Sequence, residues 1–293
     1  MAATWSPDGH EIALLAGEPG EESRRYVVVK PVDGGPAREY RIPSTRLSLF
    51  TYDLRWFGNG QGLGFSGNDS EGKTAVFRLT LATGEWQVVP LNTKMWTRIE
   101  WNDDGSRFYF ARFPLERDAP PGIYERDVKK GTERAIYPSE RFNTIRGLKL
   151  SANRQWLAFL QWWEEDKHIA NGTVVVINVA TGEQRKLTTI RSGGPELNVR
   201  ALAWAPGDTA VVLLVSPAGR RDQQLQLAPL NGGPVSVLQD VHLPSLSHSL
   251  ISGFDWSPDG RHLAFVVNDV PSSVFVIENP LADAPPRVTT VPR

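Results

Sequence analysis

The chain contains no cysteine. Disulfides and thiolate-bound metals are thereby excluded. The absence does not identify a compartment, because many periplasmic proteins also lack cysteine. No apolar run approaches the ~18 residues that span a bilayer. There is no basic excess: 32 Lys and Arg stand against 33 Asp and Glu, a formal net charge of −1. A nucleic-acid binder normally carries a basic surplus, so that class is disfavoured. No signal peptide precedes the first motif. Since natural chains rarely open inside a strand motif, the expectation is a domain of a longer chain rather than a complete cytoplasmic protein.

What is present is 26 Gly, 22 Pro and 10 Trp among 293 residues. That is the profile of many strands joined by many turns. A chain of this length buries roughly 75% of its unfolded surface, so a large core forms without staples.

One phrase occurs twice. ATWSPDGHEIALLAG opens the chain at residues 3–17, and FDWSPDGRHLAFVV stands at 254–267. Weaker copies read WFGNGQGLGFSG (56–67), WNDDGSRFYFAR (101–112), LSANRQWLAFLQ (150–161) and WAPGDTAVVLLV (204–215). The anchors are Trp5, Trp56, Trp101, Leu150, Trp204 and Trp256, spaced by 51, 45, 49, 54 and 52 residues. A period of about 50 lies in the range of propeller blades. Each repeat continues with a β-rich run (26–32, 75–81, 122–128, 173–179, 224–230, 273–279), a turn such as ATGE or NGGP, and a last short strand. Pro, Asp and Gly after the anchor suit a tight reversal: Pro sets φ, Asp bonds nearby N–H groups, and Gly takes φ > 0. The second strands are apolar almost throughout, as strands covered on both faces are. The expected fold is all-β: one six-bladed β-propeller over residues 1–293, with four-stranded antiparallel blades starting near 2, 52, 97, 146, 200 and 252. Every blade is expected to use its own four strands, with no strand crossing the seam.

At these residues the sequence resembles the TolB-like propeller repeats, whose consensus is Trp-Ser-Pro-Asp-Gly followed by an apolar triplet. Residues 5–14 and 256–265 match well, the middle copies in part, and Leu150–Asn153 lacks both Trp and Pro-Asp-Gly. The resemblance covers nearly the whole chain and is specific for fold, not function. It implies a periplasmic or extracytoplasmic setting. Similar repeats build TolB, gate propellers of peptidases, pectin-degrading lyases and sensor domains.

Several motifs invite a chemical reading. Gly62-Leu63-Gly64-Phe65-Ser66-Gly67 fits G-x-G-x-x-G, but it lies inside a strand pattern with no helix after it, so crowding relief is favoured over nucleotide binding. There is no G-x-S-x-G elbow. His242, Ser245, His248 and Asp240 occupy one stretch, whereas a triad draws on separate elements. Asn102-Asp103-Asp104-Gly105 lacks the later Glu of a calcium loop and reads as a turn. The chain has five His, of which His262 lies near an inner hairpin. The lyases of this fold resemblance use several inward His around a metal, so no metal and no cofactor are expected.

Binding is expected on the face carrying the long loops, because function concentrates on variable loops held by a rigid frame. Four residues before the anchors stand Tyr52, Thr97, Arg146, Arg200 and Ser252, with Arg98 one further in. Arg98, Arg146 and Arg200 are expected to share one arc of the channel mouth and hold an anionic group. Charges one residue before the anchors (Arg55, Glu100, Lys149, Asp255) suggest a water-filled channel. Trp162 and Trp163, flanked by Glu164, Glu165 and Asp166, suit a contact surface if they stand on a projecting loop; the favoured alternative is that both rings pack locally to cover the blade. The resulting reading is a non-catalytic binding or sensor module for a protein or peptide segment or a small anionic ligand. The alternative is a propeller lyase or hydrolase acting on carbohydrate or peptide, or a peptidase gate propeller.

Overall fold

The computed structural model describes residues 3–17, 25–43, 54–91, 98–112, 120–139, 144–164, 169–193, 198–216, 223–241, 250–268, 273–278 and 287–290. They form 24 strands and one short 3-10 turn at Pro206–Asp208. Sheet 1 holds β1 (Ala3–Trp5), β2 (Glu11–Gly17), β3 (Arg25–Pro31) and β4 (Arg38–Arg41). Sheet 2 holds β5 (Arg55–Trp56), β6 (Gly62–Asn68), β7 (Thr74–Thr80) and β8 (Glu85–Pro90). Sheet 3 holds β9 (Ile99–Trp101), β10 (Arg107–Arg112), β11 (Gly122–Asp127) and β12 (Glu133–Pro138). Sheet 4 holds β13 (Thr144–Leu150), β14 (Trp156–Glu164), β15 (Ile169–Asn178) and β16 (Gln184–Gly193). Sheet 5 holds β17 (Asn198–Trp204), β18 (Ala210–Ser216), β19 (Gln223–Pro229) and β20 (Ser236–Val241). Sheet 6 holds β21 (Leu250–Trp256), β22 (His262–Asn268), β23 (Ser273–Glu278) and β24 (Arg287–Thr290).

Each sheet is an antiparallel meander of four consecutive strands, and none borrows a strand from another repeat. The chain divides into two compact units, Met1–Phe142 with sheets 1–3 and Asn143–Arg293 with sheets 4–6. Within the first unit one apolar cluster joins sheets 1 and 2 around Val27, Trp56, Phe65 and Phe77. Another joins sheets 2 and 3 around Phe57, Trp101, Phe108 and Phe110. In the second unit equivalent clusters join sheet 4 to 5 and sheet 5 to 6. Burial of both faces explains the apolar runs that open β14 and fill most of β18.

The repeated motif is the corner between the first two strands. In repeat 1 the Ser6 hydroxyl donates to Asp8 Oδ1 (2.5 Å) and accepts the Glu11 N–H (2.9 Å), while the His10 N–H donates to Asp8 (3.0 Å). Repeat 6 reproduces these bonds with Ser257, Asp259, His262 and Arg261. Asn102 and Asp104 do the same work in repeat 3, which is therefore a turn. Gly9 and Gly260 take φ +75° and +70°.

The anchor tryptophans link neighbouring sheets. Trp56 Nε1–H donates to the Thr4 carbonyl (3.3 Å), and Trp204 Nε1–H to the Lys149 carbonyl (3.1 Å). In both cases the acceptor precedes the previous repeat's anchor. The glycines of the G-x-G-x-x-G match serve the same close packing. A Cβ on Gly62 would lie 2.3 Å from the Phe57 ring, and one on Gly64 would lie 2.7 Å from the Trp101 ring.

Candidate functional site

Most of the expected binding face lies outside the described residues: Tyr52, the segment 165–168 and the stretch 242–249 are among those omitted. The first strand of each sheet shows what can be built at its rim. One residue before the anchors, Arg55 and Glu100 form a buried ion pair, Nε to Oε1 at 2.6 Å, and Arg55 Nη1 also donates to the Leu54 carbonyl (2.9 Å). In the second unit Lys149 Nζ stands 3.7 Å from Asp255 Oδ1. The strand between them carries only Ala203 at that position, so Lys149 reaches past it. Arg55, Glu100 and Lys149 are buried and Asp255 is half-buried, and the charges pair across neighbouring sheets. Pairing across sheets offsets the desolvation that isolated charges would suffer.

Above this layer the second unit carries three irregularities in register. Arg146 opposes Leu160 and Lys149 opposes Ala158, leaving Gly147 and Leu148 against a single residue, Phe159. Arg200 is the extra residue between Val199 and Ala201, and Ser252 the extra residue between Ile251 and Gly253. Three successive first strands thus bulge before their anchors, β13 one to two residues closer to its anchor than β17 and β21. Gly147 permits this with φ +68°, and a Cβ there would meet Leu202 of β17 at 3.0 Å. Bulges re-aim the side chains beside them and cluster near functional sites. Arg146 and Arg200 are therefore at or beside bulges on adjoining strands, although their side chains lie outside the described residues. Arg98 belongs to the other unit, half-buried two residues before Glu100.

Trp162 and Trp163 are not on a projecting loop. β14 runs on to Glu164, with Trp162 opposite Gly172 and Trp163 opposite Asn171. Trp162 is half-buried against the cluster between sheets 4 and 5, and a Cβ on Gly172 would touch its ring at 3.0 Å. The ring fits because the opposing residue has no side chain. The Trp163 side chain lies outside the described residues.

Other polar centres escaped the sequence reading. Asp208 replaces the turn glycine with φ +55°, and its carboxylate accepts the Ala152 N–H (2.9 Å) and Asn153 N–H (2.8 Å) from the previous repeat's corner. The one-residue shift from Pro-Asp-Gly to Pro-Gly-Asp is the signal that could have marked it. In sheet 3, Arg112 and Arg126 both bond Glu133, with Arg112 also over the Tyr124 ring at 4.0 Å. Burial, then Arg112, pushes the Arg126 guanidinium down. Burial and Glu125 push Tyr109 up to about 12. His10 joins His262 beside a corner, so two of the five His sit there. Among the described residues, no three His, Asp or Glu side chains gather as metal ligands, and no helix is long and apolar enough to cross a membrane.

No protein-family model and no curated protein sequence matches the chain. Solved structures do. TolB from Acinetobacter baumannii aligns with a TM-score of 0.67 at 14% identity over 94% of this chain, which spans 62% of that protein. Oligogalacturonate lyase from Vibrio parahaemolyticus aligns at 0.60 with 12% identity, covering 99% of this chain and 76% of that one. The β-propeller domain of the Trilobed protease from Pyrococcus furiosus, described as having an open velcro topology, aligns at 0.56 with 10% identity, covering 100% and 84%. At these identities the likeness concerns fold. Together with the strand order it makes this chain an all-β protein of four-stranded antiparallel blades in a propeller arrangement, similar in fold to TolB-like and related propellers.

Proposed function

We propose that the six sheets close into one six-bladed propeller that acts as a non-catalytic binding module. It recognises an anionic group, carried by a protein segment or a small ligand, at the bulged rim of the first strands. The observation that carries this reading is that three successive first strands each bulge within a few residues before the anchor, with Arg200 itself an extra residue and Arg146 beside the glycine bulge. The layer beneath has its charges already paired, and Arg146 and Arg200 are the cations this reading assigns to an incoming anion. Guanidinium groups suit carboxylate and phosphate because they bond both oxygens at once. Arg98, Tyr52 and Trp163 are assigned to the same binding surface and tested singly.

The experiment is titration calorimetry with inorganic phosphate, sulfate and an oligoglutamate peptide. The wild-type chain binds at least one of them, and Arg146→Ala with Arg200→Ala abolishes binding while leaving the melting temperature unchanged. The reading fails if the double variant binds with unaltered affinity, or if no probe binds the wild type.

A further inference from the structure

The outermost strand of a sheet leaves a row of backbone groups unpaired, and proteins blunt such edges with cations, proline, bulges or shortness. Six repeats allow the devices to be compared within one molecule. β4 and β24 are four residues long and carry Arg38 and Arg41, and Arg287. β12, β16 and β20 each hold one extra residue, Ile136, Leu187 and Leu238, spaced by 51 residues. β12 and β16 add Arg134, and Arg185 and Lys186. β8 differs from all of these: six residues, Glu85-Trp86-Gln87-Val88-Val89-Pro90, in unbroken register with β7 and with no Lys or Arg.

The direction of its free groups follows from the ladder. Leu91 N–H donates to the Thr74 carbonyl at 2.9 Å. Alternation then turns Val89, Gln87 and Glu85 toward β7, and Trp86, Val88 and Pro90 outward. Pro90 fits this parity, since proline tolerates an edge position whose N–H side faces solvent. On the sheet face, Trp86 is half-buried with its ring 5.8 Å from Phe65, and Val88 is 40% exposed.

We infer that β8 is a docking edge for a second copy of this chain, paired antiparallel about a two-fold axis at Gln87. The segment complements itself in that register. Trp86 falls opposite the partner's Val88 and Val88 opposite the partner's Trp86, so each copy supplies an aromatic–β-branched cross-strand pair. The outward N–H and carbonyl groups of Trp86 and Val88 then meet those of the partner's Val88 and Trp86. Gln87 meets its own counterpart, amide to amide. Glu85 falls opposite the partner's Val89, so no like charges face each other. The contact is isologous and closes after two copies. It is small beside a standard interface, so the dimer is a weak, concentration-dependent one.

The absence of cysteine makes the register directly testable. Gln87→Cys places two thiols on the two-fold axis at a non-hydrogen-bonded pair, where Cα atoms stand about 4.5 Å apart, within disulfide reach. Glu85→Cys places them opposite valine instead. Under mild oxidation the Gln87→Cys chain cross-links about tenfold faster than the Glu85→Cys chain. Sedimentation of the wild type between about 10 µM and about 1 mM shows a monomer–dimer equilibrium. Val88→Pro removes one outward N–H and spares the β7–β8 ladder, so it stays folded by circular dichroism and monomeric; Val88→Lys behaves alike. Three results overturn the inference: a wild-type monomer throughout, a dimer that persists in folded Val88→Pro, or equal cross-linking at positions 85 and 87.

Discussion

Glu133 shows how much one carboxylate can hold. It accepts from Arg112 and from Arg126 (2.7 Å), and all three side chains are largely withdrawn from water. The Nε atoms of Arg112 and Arg126 are buried and have no hydrogen-bond partner among the described residues. The cluster therefore carries an excess positive charge offset by one anion and by the Tyr124 ring. Removing one partner of a buried pair leaves an uncompensated charge, at a cost of about 3–5 kcal/mol. Glu133→Gln is expected to lower the urea midpoint accordingly, and Arg112→Leu in that background to recover part of the loss. Equal stability of Glu133→Gln and wild type would show that water already solvates the pair. Nothing local in the sequence marks this site, because Arg112 and Glu133 are 21 positions apart on β10 and β12, and only the meander brings them together.

At the scale of the corner turn, acid stability follows from the repeated aspartates. Ser6, then the His10 N–H, holds Asp8 below the usual carboxylate range. Ser257 and the Arg261 N–H do so for Asp259, and Ser106 for Asp104. A carboxylate with a depressed folded-state pKa stabilises the fold fully above its unfolded pKa. That contribution disappears as pH falls through the folded value, hence at and below the ordinary 3.8. The chain supplies its own control, because repeats 2 and 4 use Asn here: Asn59 accepts the Gln61 N–H and Asn153 the Gln155 N–H, each at 2.9 Å. Asp8→Asn with Asp259→Asn should therefore fold and show a flatter decline of melting temperature below about pH 4. An unchanged acid limb would mean that other carboxylates set it. The corner was legible in the sequence, because Pro, Asp and Gly act locally. The bulges at Arg200 and Ser252 were not. They alter parity within a strand whose composition looks regular, and a count from the anchor cannot see a one-residue insertion. The extension of β14 through Trp163 was missed for a related reason. The acidic run after it reads as a loop, whereas Gly172 opposite Trp162 lets the hairpin continue.

For the whole molecule, the decisive property is that every sheet is complete in itself. Such an array approximates a sum of local units and nearest-neighbour interfaces, and the period of about 50 residues made this visible in the sequence. What the period could not supply was how neighbours are fastened. Trp204 answers for sheets 4 and 5: its indole donates to the Lys149 carbonyl at 3.1 Å while its ring fills their shared cluster. Trp204→Phe retains most of the apolar area but removes the indole donor to that carbonyl, a net loss of about 0.5–1.5 kcal/mol. If coupling runs through adjacent interfaces, the damage is local. Hydrogen exchange followed by mass spectrometry should show protection falling first in β13–β20, with sheets 1–3 of the other unit unchanged. A uniform loss across both units would mean that the chain opens as one cooperative body, and that the tryptophan contacts are secondary to some stronger global constraint.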